Sequence, residues 1–70
     1  MTPTMLRQLW SLIETTQANL LLQLDDASLV QWLIKQFKQE RSLDGEQLDI
    51  VSNYLNHRIS LIRELAQQRY

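Results

Sequence analysis

The sequence predicts an all-α fold: a small three-helix bundle of up-down-up topology, one helical domain over residues 1–70. Three observations predict it. Apolar residues recur at steps of three and four in three separate segments, the period of helices buried on one face. One Gly and one Pro leave almost no turn punctuation for a many-stranded fold. Fourteen Leu, nine Gln and five Arg favour helix, and a hydrophobic content of 44% sets the chain apart from disordered ones. A chain of 70 residues buries only a modest core, so its stability is thin unless something else covers its apolar surface.

The first helix is expected over 3–23. Thr2 followed by Pro3 reads as N-cap and first helical residue. Leu6, Leu9, Trp10, Ile13, Gln17, Leu20, Leu21 and Leu24 then follow the three-four pattern. Such a helix is roughly 30 Å long at ~1.5 Å per residue. Thr15-Thr16 is its weak point, because β-branched residues lose side-chain freedom in a helix. The apolar stripe keeps its phase across the pair, which favours a continuous helix over two shorter ones.

The second helix is expected over 26–40, with Leu29, Val30, Leu33 and Phe37 on its stripe and Trp32 and Ile34 beside it. The acidic pair Asp25-Asp26 has two readings, a cation site or a helix start. The helix start is preferred, because the apolar period begins directly afterwards; one Asp caps and the other sits in the first turn. Lys35, Lys38 and Arg41 suit the C-terminal end of the helix dipole.

The third helix has the best-marked start. Asp44 is an N-cap and Gln47 stands three residues on, the spacing of a capping box. Leu43 and Leu48 are spaced as a hydrophobic staple. Leu48, Val51, Leu55, Ile59, Ile62, Leu65 and Ala66 form one stripe to the end of the chain. Asn56, His57 and Ser60 prefer local side-chain bonds, so a kink near His57–Ser60 is the alternative to a straight helix, although the stripe keeps its phase there. The expected core is Leu6, Leu9, Ile13, Leu20 and Leu24 against Leu29, Leu33, Phe37, Leu48, Val51, Leu55, Ile59 and Ile62.

Composition narrows function by exclusion. The formal net charge is −1, so the whole-chain field selects no partner. Residues 50–70 carry Arg58, Arg63 and Arg69 against Glu64, but a basic helix end is accounted for by the dipole. There is no Cys, hence no thiolate zinc site or nucleophile. His57 is the only histidine and has no acidic neighbour at helical spacing, so a surface role is expected of it and no metal ligand set follows. The serines have no visible base, and the only Gly opens a helix instead of cradling a phosphate. We expect no catalytic, cofactor-binding or metal-binding residues, and no enzyme. No uninterrupted apolar run is longer than Leu20–Leu22, and no secretory signal is visible, so a cytoplasmic protein with no membrane span is expected.

A nucleic-acid reading has one point in its favour. Ser52-Asn53-Tyr54-Leu55-Asn56-His57-Arg58, after a helix and a short turn, resembles a helix-turn-helix recognition helix with base-reading side chains. Such a helix presents its N-terminal turn to DNA, and this one carries Asp44, Glu46 and Asp49 there. The chain is not basic, whereas phosphate contact supplies much of the affinity. DNA binding is therefore the alternative, and a protein–protein interaction module or small regulatory adaptor is the leading expectation.

That expectation rests on apolar excess. Leu12, Leu22, Ile34, Ile50, Tyr54 and Leu61 fall off the main stripes, more than three helices can hide. Two long helices against a second of only ~22 Å leave stripe ends uncovered, which predicts a homodimer. Trp10, Leu12, Leu61 and Leu65 are the candidate interface residues. The competing account is a break at Thr15-Thr16 that folds the chain back as a four-helix monomer. Finally, LWSLIETTQANLLLQLDDASLVQWL and YLNHRISLIRELA, together more than half the chain, resemble small uncharacterised cyanobacterial helical proteins. The resemblance implies a bacterial cytoplasmic setting and no particular mechanism.

Overall fold

A computed structural model describes residues 2–69, with Arg69 described by its backbone alone. It is all-α, with four helices among the described residues: α1 Pro3–Thr15, α2 Ala18–Gln23, α3 Asp26–Glu40 and α4 Gly45–Arg69. The fold class is as expected, but the expected three-helix bundle is corrected to four, because helix one is broken in two.

The break is a competition for one carbonyl. The Thr15 and Thr16 hydroxyls both donate to the Leu12 carbonyl, at 2.9 and 2.8 Å, and the Thr16 N–H donates to it as well, at 3.1 Å. Hydroxyl back-bonding of this kind competes with continuation of the helix. Thr16 and Gln17 turn to extended backbone, with ψ of 141° and 136°. The chain then re-enters a helix in a new phase, so Leu21 is fully buried while Leu20 and Leu24 are only half-buried. Continuity of the stripe on paper did not include this turn.

The remaining ends form as the sequence reads. Thr2 Oγ1 accepts the Met5 N–H at 3.1 Å and Asp25 Oδ1 accepts the Ser28 N–H at 2.7 Å, both N-cap bonds. Asp44 and Gln47 exchange hydrogen bonds at 2.8 and 3.2 Å, a reciprocal capping box. In α4 the polar residues bond back one turn: Asn56 Nδ2 to the Ser52 carbonyl at 2.9 Å, and His57 Nδ1 to the Asn53 carbonyl at 2.7 Å. The second contact needs the proton on Nδ1. The helix runs uninterrupted through this region.

Helix directions follow from what meets what. Thr2 and Met5 lie beside Gln47 and Ile50, and Trp10 and Ile13 beside Ile62 and Leu65, so α1 runs parallel to α4. Arg63 late in α4 reaches Asp26 at the start of α3, at 2.9 Å, so α3 runs the other way, and Arg41 just beyond its end reaches Gln8 in the middle of α1, at 2.6 Å. The short α2 packs chiefly against α4. The core is Met5, Leu9 and Ile13, then Leu21, then Leu29, Val30, Leu33 and Phe37, and finally Val51, Leu55, Ile59, Ile62 and Ala66. Of the expected core, Leu6 and Leu48 join Leu20 and Leu24 as half-buried.

Arg63 ties the break in place. Its Nη1 donates to the Leu21 carbonyl at 3.0 Å, and its Nη2 donates to the Leu24 carbonyl at 2.6 Å and to Asp26 Oδ1 at 2.9 Å. Carbonyls at a helix C-terminus lack intrahelical partners. Arg63 therefore caps α2 from another helix while holding the first turn of α3. The dipole reading of Arg63 misses this, since no local spacing links position 63 to position 21.

Candidate interaction surface

Burial on α4 leaves one flank uncovered. Val51, Leu55, Ile59, Ile62 and Ala66 face the core, and Ile50, Leu61 and Leu65 stand 40, 41 and 38% exposed. On a helix of 3.6 residues per turn, positions 50, 54, 57, 61, 65 and 68 share a face adjacent to that core stripe. The exposed large hydrophobics of the described residues are all on it. Isolated exposed leucines are ordinary, but three aligned on one helix form a strip.

Helix α1 borders this strip. Trp10 Nε1 donates to Tyr54 Oη at 2.7 Å, and the two rings meet edge to face with centroids 6.4 Å apart. Both side chains are half-buried and pack on the core, so the pair stiffens the α1–α4 seam. The Arg58 guanidinium lies 5.1 Å above the Tyr54 ring from the exposed side, in the cation–π range. Beyond Trp10 the seam opens into a groove of about 380 Å³, floored by Trp10, Ile13, Ile62 and Leu65 and rimmed by Glu14 and Gln68. At the other end of the seam a smaller crevice of about 150 Å³ runs between Thr2, Met5, Gln47 and Ile50.

The four candidate interface residues are thus divided. Trp10 and Leu65 meet in one groove, and Leu61 lies one turn from Leu65 on the same flank. Leu12 is half-buried and faces another way, lining a polar crevice with Gln8, Ser11, Thr15 and Glu40. Ile50 and Tyr54 belong to the strip and were counted in the sequence only as apolar excess. Their eleven- and seven-residue spacing to Leu61 was the available signal.

Chemistry elsewhere is sparse. Among the described residues no group of three or more His, Cys, Asp or Glu side chains is placed to hold a metal ion. His57 is exposed on the flank with its ring tied to Asn53. Asp25 is held below the ordinary carboxylate value chiefly by the Ser28 backbone N–H, then by the Ser28 side chain and the nearby Arg63 charge. That is the signature of a helix cap. No described helix is long and apolar enough to cross a membrane.

Comparison with known proteins returns no match to any family model, curated protein or solved structure.

Proposed function

We propose that this chain is a non-enzymatic protein–protein interaction module that docks through the outer flank of α4 and the adjoining α1–α4 groove. The observation that carries the reading is the alignment of Ile50, Leu61 and Leu65 on one helix flank, beside a groove floored by apolar side chains. Binding energy at interfaces concentrates in such clustered apolar and aromatic anchors. The break in helix one removes the argument for association from uncovered stripe ends, because α2 folds over α4. The strip stands without that argument. A helix-turn-helix reading gains nothing from the fold: the N-terminal end of α4, which would enter the groove of DNA, has exposed Asp44 just before it, Glu46 in its first turn and exposed Asp49 in the next. A bacterial cytoplasmic adaptor, as the sequence resemblance implies, is the setting we propose.

The test is a paired capture. Immobilised wild-type chain and a Leu61→Glu/Leu65→Glu variant are exposed to the same native extract. Both positions are exposed, so circular dichroism should show equal helicity. A protein retained by the wild type and lost by the variant is the expected result. Retention indifferent to the two charges rules out this flank as the docking surface.

A further inference from the structure

We propose that the occupant of the α4 flank is a second copy of this chain, lying antiparallel along it about a twofold axis that passes between His57 and Arg58. The inference rests on the docking reading above and names its partner.

The first argument is the spacing of the strip. Ile50 and Leu65 are equally far from the midpoint between positions 57 and 58, and so are Tyr54 and Leu61. An antiparallel copy therefore sets Ile50 against the partner's Leu65 and Tyr54 against the partner's Leu61. Every large apolar group on the flank meets another, as an isologous interface requires. The polar pair His57 and Arg58 falls at the centre, where a polar residue on an apolar seam marks register.

The second argument is charge. Arg63 is spent on α2 and Asp26 and faces away from the flank, so the charges that bear on the pairing are those at the edge of the flank. Antiparallel pairing keeps Glu46 and Glu64 away from their own copies and opposes the helix dipoles favourably. A parallel pair on the same face would instead set Glu46 on Glu46, His57 on His57 and Glu64 on Glu64. Three exposed apolar side chains and a half-buried tyrosine make a thin contact beside the roughly 800 Å² per partner of a standard interface. The dimer is accordingly a weak one.

The experiment has two parts. Sedimentation equilibrium from about 10 μM to about 1 mM, the range of weak association, should show mass rising from 8.3 kDa towards twice that value. Leu61→Glu should weaken the dimer by at least about tenfold, because a carboxylate would have to leave water where an apolar contact stood. The chain has no cysteine, so single substitutions then report direction. Ile50→Cys mixed with Leu65→Cys should form the mixed disulfide under oxidising conditions. Each alone should not, since its own copy stands about 22 Å away at ~1.5 Å per residue over fifteen residues. Self-linking of Ile50→Cys overturns the antiparallel pairing. A mass that stays at 8.3 kDa overturns the second copy as occupant, and leaves the docking reading to stand or fall on the paired capture. Dimerisation unaffected by Leu61→Glu puts the contact on another face and overturns the flank pairing, the docking reading again resting on the paired capture.

Discussion

Replacing Arg63 by Ala should destabilise the fold out of proportion to the single ion pair it removes. The side chain is 23% exposed, while Asp26 across from it is 73% exposed. An ion pair that open contributes about 0–1 kcal/mol. The larger share lies in the α2 carbonyls: the contacts to Leu21 at 3.0 Å and Leu24 at 2.6 Å are charge-assisted bonds to groups that α2 cannot satisfy itself. A third, to Leu22 at 3.4 Å, is too long to count for much. Two such bonds at about 1.5 kcal/mol each, discounted for water that can enter beside a partly exposed guanidinium, give about 2–3 kcal/mol. On a domain this size that is a fall in Tm of roughly 10–20 °C. Thermal and urea unfolding followed by circular dichroism measure it, with Asp26→Asn as the control. Arg63→Lys should recover little, because one ammonium cannot reach both carbonyl sites as the planar fork does. If Asp26→Asn destabilises as much as Arg63→Ala, the ion pair is the main term and the capping account is wrong.

Two further outcomes follow from the fold. Leu21 is fully buried and Leu20 is not, so Leu21→Ala should cost about 2–5 kcal/mol in urea unfolding and Leu20→Ala distinctly less. The reverse order would restore the continuous first helix. Asp25→Ala should lower stability at neutral pH, and the gap from wild type should narrow in acid. The folded carboxyl titrates below its ordinary value of 3.8, so its contribution is complete above that pH and is lost as pH falls through the lowered value. A gap unchanged down to full protonation would show that the Ser28 bond does not depend on the charge.

Local chemistry made the helix ends legible in the sequence. Thr2, Asp25 and the Asp44–Gln47 box each satisfy backbone N–H groups within three residues, so the reading needs no knowledge of the fold. Helical period likewise placed Leu9, Ile13, Leu29, Leu33, Phe37, Val51, Leu55, Ile59 and Ile62 in the core. The break at Thr16 was legible only as a weakness. Two β-branched residues lower helix stability by an amount that the stripe on either side can outweigh or not, and the balance is set by what α2 covers once it turns away. That cover is α4, held by Arg63 across 39 to 42 positions of chain. The flank of α4 was decided in the same way. Leu61 stood out in the sequence, but Leu12 and Leu61 looked alike there, as apolar residues off their stripes. Packing against neighbouring helices half-buried Leu12 and left Leu61 in water. Which face of a helix stays uncovered depends on where its neighbours lie, and only the tertiary arrangement places them.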